Sequence, residues 1–239
     1  MRLDKLLANM GFGTRKDVKQ YLKNGAVRVN EEVVKKPNIH IDVEKDYVTC
    51  FGEPVVYQQF IYLMMNKKQG VLSATEDYVA ETVVDALSEE HRHFEPFPVG
   101  RLDKDTEGLL ILSNNGKMAH NLLAPKKNVP KTYYAHIEGV VTEADVAAFK
   151  AGVTFEDGYE AAPGDLKILK SADISEIEVT ITEGKFHQVK RMFQAVDKKV
   201  VYLKRLSMGP LKLDPMIPLG HYRVLTEEEL ALLEPFMTD

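Results

Sequence analysis

The sequence predicts an α+β protein in two parts. A small helix–helix–hairpin domain should occupy residues 1–58, and a larger domain, mainly antiparallel sheet, residues 59–239. Two observations carry this. Helical spacing over the first 23 residues gives way to strand-like alternation, and the rest interleaves short apolar runs with helical stretches irregularly. Regular strand–helix alternation would have meant a doubly wound parallel sheet.

Leu3, Leu6, Leu7 and Met10 recur at helical spacing, and Gly11 and Gly13 stop that helix. Thr14 is a good N-cap for a second helix, with Asp17 three residues on and Gly25 as terminator. Val18, Tyr21 and Leu22 form its apolar side. Ala26 to Val29 alternates as a strand, Asn30-Glu31 turns, Val33-Val34 begins the return, and 39–51 supplies another strand. Glu53-Pro54 and Gln58-Gln59 read as a linker. Strands follow at Ile61–Asn66, Leu109–Leu112, Lys131–Ile137, Ile177–Ile181 and Val200–Leu206. Helices are expected at Thr82–Leu87, Lys117–Leu123, Thr142–Lys150, Phe186–Val196 and Thr226–Phe236.

Composition narrows the class. Hydrophobic content of 44% and charged content of 28% suit a soluble domain. No apolar run is long enough to span a bilayer, and the charged start Met1-Arg2-Leu3-Asp4-Lys5 is unlike a signal peptide. The expectation is a cytoplasmic monomer with no membrane partner. The single cysteine, Cys50, allows no internal disulfide and reads as a small buried hydrophobe. No glycine-rich phosphate loop or metal-ligand cluster is present, so no cofactor and no metal are expected.

Net charge is −5, but it is unevenly spread. Residues 1–36 hold nine basic residues against four acidic ones, and 185–205 hold seven against Asp197 alone. Local basic patches are what a nucleic-acid backbone responds to. Arg15, Lys16, Lys19 and Lys23 are three or four apart and share a helix face; Arg2, Lys5 and Arg28 complete the candidate RNA-binding set.

The most informative string is Gly100-Arg-Leu-Asp-Lys-Asp-Thr-Glu-Gly-Leu-Leu-Ile-Leu-Ser-Asn-Asn-Gly116. An arginine and two aspartates crowd one turn, and an apolar run then enters the interior. Buried ions are costly unless paired, so the turn is either a solvated Asp-Gly hairpin or a held carboxylate poised for catalysis. The string resembles the catalytic motif of pseudouridine synthases of the RsuA type, which modify ribosomal RNA. The N-terminal pieces Arg2-Leu3-Asp4-Lys5, the basic helix from Arg15 and Gly25 to Asn30 resemble the S4 RNA-binding domain. Glu31 replaces that family's turn glycine, which is expected to widen the turn.

By this resemblance Asp103 is the catalytic carboxylate. Tyr133 of Lys131-Thr132-Tyr133 lies beside the target uracil, with Tyr134 on the other side of the strand. The run Glu183 to Phe193 places Lys190 as the cationic partner of Asp103, with Arg191 as its substitute and His187 as a structural residue. A cation beside a carboxylate favours its ionised form. Arg101 contacts the flipped-out RNA or its phosphate, Leu206 walls the uracil, and Lys67 of Asn66-Lys67-Lys68-Gln69-Gly70 meets phosphate. Lys68 stands where the family has proline. Lys126 and Lys127 are further phosphate candidates. The implied partner is ribosomal RNA and the implied target is uridine 516 of 16S RNA, favoured by the acidic Glu227 to Asp239 ending. The alternatives are a synthase acting on 23S RNA and a non-catalytic RNA-binding or assembly protein. An S4-domain methyltransferase lacks its glycine-rich loop here.

Overall fold

The computed structural model describes residues 1–238. The chain forms two compact units, one of Met1–Ile61 with Ser88–Pro96, the other of Tyr62–Leu87 with the residues from Phe97 onward. The change of unit after Ile61 lies three residues past the expected boundary. The excursion Ser88–Pro96, carrying the short helix α3 (Glu89–Arg92), has no counterpart in the sequence reading.

The first unit opens with α1 (Leu3–Asn9) and α2 (Arg15–Lys23). Thr14 and Asp17 cap α2 reciprocally: Asp17 N–H donates to Thr14 Oγ1 at 3.3 Å, and Thr14 N–H to Asp17 Oδ2 at 2.9 Å. A small antiparallel sheet follows, with strands β1 (Val27–Val29), β2 (Glu32–Val33), β3 (Val48–Cys50) and β4 (Glu53–Pro54) in the order β2-β1-β3-β4. Leu3, Leu6, Leu7, Val18, Leu22, Val27, Val48 and Cys50 make its core. Three expectations need correction. The Asn30-Glu31 turn is not widened: Val29 pairs directly with Glu32, and both turn residues take positive φ, +49° and +70°. Asn30 tolerates this, and its side chain is held by Asp46 and by Tyr47 N–H. The strand in 39–51 shrinks to Val48–Cys50, because Asp42 and Asp46 bind backbone N–H groups and form a turn. Glu53-Pro54 is an edge strand, not linker.

The second unit is built on a nine-stranded sheet of the described residues. Its main path runs β13 (Tyr222–Val224), β5 (Tyr62–Lys67), β7 (Glu107–Ser113), β11 (Lys199–Met208), β8 (Lys131–Glu138), β10 (Ile174–Ile181), β9 (Asp165–Lys170). β6 (Phe97–Val99) adds to β7 and β12 (Leu211–Lys212) to β11. All these pairings are antiparallel except β7 with β11. Gly108 to Ser113 of β7 is buried throughout, which is why this central strand reads as a continuous apolar run. Helices α4 (Gly116–Leu123) and α7 (Glu227–Met237) pack together over a core of Met64, Leu109, Ile111, Met118, Leu122 and Leu233. Phe149 of α5 (Glu143–Ala151) meets Phe193 of α6 (Gln188–Gln194) with ring centroids 4.8 Å apart. The expected helix at Thr82–Leu87 is instead a turn. Thr82 bridges to Leu72 as a strand would, and its N–H donates to Asp85 Oδ2 at 2.8 Å. Among the described residues no helix is long and apolar enough to cross a membrane.

Candidate active site

The turn before β7 is tied down from below. Ser73 Oγ donates to Leu102 O at 2.9 Å and accepts from Leu102 N–H at 3.0 Å. Thr106 N–H closes the turn on Asp103 O at 3.0 Å, and Gly70 N–H reaches Lys104 O at 2.8 Å. Lys67, with no exposed surface, projects its ammonium into the centre. It donates to the carbonyls of Thr106 (2.9 Å), Asp103 (3.1 Å), Lys68 (3.1 Å) and Lys104 (3.4 Å). Burial pushes the Lys67 pKa down to about 8, against the pull of Asp105, Asp103 and Glu107. Beyond the turn, Gly108 takes φ +101°, and a Cβ there would lie 2.3 Å from Arg205 O. Only glycine lets β7 and β11 approach this closely.

This turn forms one wall of a cleft of about 660 Å³. The opposite wall comes from one face of the sheet, through Lys131 and Tyr133 of β8, Ile181 of β10, and Leu203 and Arg205 of β11. The strand register explains the grouping: Tyr133 lies opposite both Arg205 and Val179, and Lys131 opposite Ile181. Tyr133 is 8% exposed, and its hydroxyl has no hydrogen-bond partner among the described residues. Tyr134 points the other way, its hydroxyl donating to Glu176 Oε2 at 2.7 Å.

The third side is the segment leading into α6. Lys190 places its ammonium 3.2 Å from Asp103 Oδ2 and 2.6 Å from Asp105 Oδ1. Burial opposes its charge, but the two carboxylates outweigh that and raise its pKa. Burial also pushes Asp105 up, and the Lys190 contact reverses this to leave it lowered. His187, at φ +51°, brings Nε2 to 3.6 Å from Asp103 Oδ1 and stacks on Phe186 with centroids 3.7 Å apart. The segment is braced by Glu183, which accepts from Gln188 Nε2 (2.7 Å), Tyr159 OH (2.7 Å) and Ala162 N–H (2.9 Å). Burial would raise the Glu183 pKa, and these donors bring it below its ordinary value. The cleft thus holds a carboxylate on a rigid turn, cations around it, and an aromatic face across from it.

Comparison with known proteins decides the family. Residues 61–195 match the family described as RNA pseudouridylate synthase, and residues 1–46 match the S4 domain. The chain belongs to the RNA pseudouridylate synthase family. It is 56% identical to an uncharacterised RNA pseudouridine synthase, YtzG, of Bacillus subtilis (strain 168), covering 98% of both chains. It is 36% identical to ribosomal small subunit pseudouridine synthase A of Vibrio vulnificus (strain CMCP6), over 96% of this chain and 98% of that one. It is 34% identical to ribosomal large subunit pseudouridine synthase B of Bacillus subtilis (strain 168), over 97% and 95%. A crystal structure of a pseudouridylate synthase, 33% identical, superposes with a TM-score of 0.68, covering 98% of this chain and 99% of that one.

With the synthase family established, the placement of each expected site residue can be read. Asp103, Tyr133, Lys190 and Arg101 all line the cleft, Arg101 as an exposed side chain. Three residues do not behave as expected. Lys67 is sealed beneath the turn, where its ammonium is spent on carbonyls and cannot meet phosphate. Arg191 turns away from Asp103, pairing with Asp157 and stacking 4.2 Å over the Phe155 ring. Leu206 does not line the cleft, since alternation along β11 gives that face to Leu203 and Arg205. The sequence reading missed His187 as a neighbour of Asp103, although it lay inside the matched string. It also missed Lys131 and Arg205, for which the signal was a basic residue at an inward strand position.

In the S4 domain, Arg15, Lys16, Lys19 and Lys23 are exposed along α2, and Lys5 and Arg28 are exposed nearby. Arg2 is engaged in a two-pronged pair with buried Asp4, at 3.0 and 2.8 Å. The basic run 185–205 is largely consumed inside the fold, through Lys190, Arg191 and the Lys198–Asp145 pair at 2.8 Å.

Proposed function

We propose that this chain converts uridine 516 of 16S ribosomal RNA to pseudouridine, in the cytoplasm and as a monomer, with Asp103 as the catalytic carboxylate. The observation that carries the reading is the Asp103 carboxylate itself. It stands in the cleft on a turn locked by Lys67 and Ser73, 3.2 Å from the Lys190 ammonium. Such a group is pre-organised to act without moving.

The reaction is an isomerisation without redox change. The glycosidic bond from C1′ to N1 breaks, a bond from C1′ to C5 forms, and the C5 proton is lost as N1 gains one. Asp103 serves either by attacking the nucleoside or by removing a ribose proton to give a glycal. The base must first leave its RNA stack, at a cost of a few kcal/mol. Tyr133 offers its ring to the flipped base, a contact that returns ~1–3 kcal/mol. Arg101, exposed at the cleft, and the basic face of α2 contribute phosphate contacts.

The likeness to small subunit pseudouridine synthase A over nearly the whole chain supports the 16S target. The likeness to large subunit pseudouridine synthase B, only slightly weaker, supports a second reading with a uridine of 23S RNA. The deciding experiment is carbodiimide labelling with primer extension across 16S and 23S RNA. It compares cells with the gene, without it, and carrying Asp103→Asn. A stop at uridine 516 that vanishes in both altered strains is the expected result. A stop lost only from 23S RNA moves the substrate, and no lost stop overturns the activity.

A further inference from the structure

Two cations in the wall of the cleft have no counter-charge. Lys131 is 8% exposed and Arg205 is 2% exposed, and both line the cleft on the sheet face that carries Tyr133. Arg205 sits directly opposite Tyr133 on the neighbouring strand, and Lys131 lies two residues before it. Among the described residues no carboxylate comes within 4.0 Å of either. Lys131 Nζ donates only to Val129 O at 3.0 Å. Arg205 Nε donates to Leu109 O at 2.8 Å, while its Nη2 is buried with no partner at all. Thr106 Oγ1, at the same cleft, is also buried and unpartnered. Burial, with Arg205 adding to it, holds the Lys131 pKa down to about 8.

Two unneutralised cations side by side are costly in a fold, and bracing a strand explains only one of the Arg205 donors. The arrangement fits a ligand that brings negative charge into the cleft. We propose that Lys131 and Arg205 form a cationic floor that stabilises the uracil ring anion released when the glycosidic bond breaks. This rests on the reading that the target base occupies the cleft beside Tyr133.

The chemistry supplies charge where the floor needs it. When the C1′–N1 bond breaks, the electron pair stays on the base and spreads over N1 and the carbonyl oxygens O2 and O4. C5 then bonds to C1′, its proton leaves, and N1 takes one up, so the product is again neutral. Charge therefore appears only between the two bond changes, the condition under which fixed donors accelerate a reaction rather than tighten substrate binding. Ile181 and Leu203 flank the floor with apolar surface, which suits a planar base better than a hydrated phosphodiester.

The test has two arms, both on the full-length protein. In the first, calorimetry measures binding of uracil and of barbiturate, a uracil-shaped ring that is an anion at neutral pH. The floor predicts that barbiturate binds at least about tenfold tighter, and that Lys131→Met abolishes the preference while Lys131→Arg retains it. Equal affinities, weaker barbiturate binding, or no detectable binding of either overturns the proposal. In the second arm, Lys131→Met should lower kcat by about 10²- to 10³-fold with KM little changed. A raised KM at unchanged kcat overturns it in favour of a phosphate contact. If Lys131→Met does not fold, the wild-type preference still decides. The first arm needs no RNA, so barbiturate preference without activity on 16S RNA supports the floor and fails only the substrate reading.

Discussion

At the scale of single residues, Asp103 shows how a reactive group is made from ordinary parts. Its backbone carbonyl is claimed by Lys67 and Thr106 N–H, leaving the carboxylate to face Lys190 and His187. Asp103→Asn keeps the shape and removes the charge. Pseudouridine formation should fall by roughly 10⁴-fold or more, the scale of losing one member of a catalytic unit. RNA affinity and the thermal midpoint should stay near wild type; a parallel loss of all three, read by filter binding and calorimetry, would give Asp103 a structural role. Lys67 makes the complementary case. Lys67→Met leaves four carbonyls without their shared donor and should cost about 1–3 kcal/mol of stability. It should also lower kcat by about 10²-fold, since a turn displaced by an ångström loses alignment. RNA affinity should hold, and a selective rise in Kd would instead show Lys67 meeting phosphate.

Among elements, the C-terminal helix α7 depends on one double-duty carboxylate. Glu229 caps Thr226 N–H at 2.9 Å and receives both guanidinium ends of Arg223, at 2.7 and 2.8 Å. Arg223 is also held by Asp214 at 2.8 Å, which links the helix to the segment after β12. The Arg223 hydrogen bond is the chief cause that holds Glu229 below its ordinary pKa of 4.5. A carboxyl with a depressed folded-state pKa stabilises fully above its unfolded value and loses that contribution as pH falls through the folded one. Glu229→Gln should therefore be less stable than wild type by about 1–2 kcal/mol at neutral pH. The gap should close in acid as the wild-type carboxyl protonates. Urea titrations at several pH values measure it, and a gap that persists in acid would assign the effect to packing.

For the whole molecule, the two units divide the work. The S4 domain places an exposed basic face on α2, while the synthase unit commits Lys67 to its own turn and Lys190 to Asp103 in the cleft. Contacts to phosphate position an RNA without reading its sequence. Reversing Lys16, Lys19 and Lys23 to glutamate should weaken RNA binding and flatten its salt dependence, by roughly 0.7 in log–log slope for each lost contact to single-stranded RNA. Turnover at saturating RNA should be unchanged. An unaltered salt slope would place the RNA elsewhere.

By itself the sequence determined what local patterns encode. The Thr14–Asp17 cap, the buried run of β7, the opposed directions of Tyr133 and Tyr134 and the family of the cleft were all legible, because caps, alternation and motif strings act over a few residues. Tertiary structure alone decided which cations stayed free. Lys67, Arg191 and Arg205 are equally basic as letters, yet one is buried under a turn, one is paired with Asp157, and one keeps a buried Nη2 without a partner on the sheet face of Tyr133. Charge is a local property of a residue, but its partner and its access to water are set by strands and helices distant in the chain.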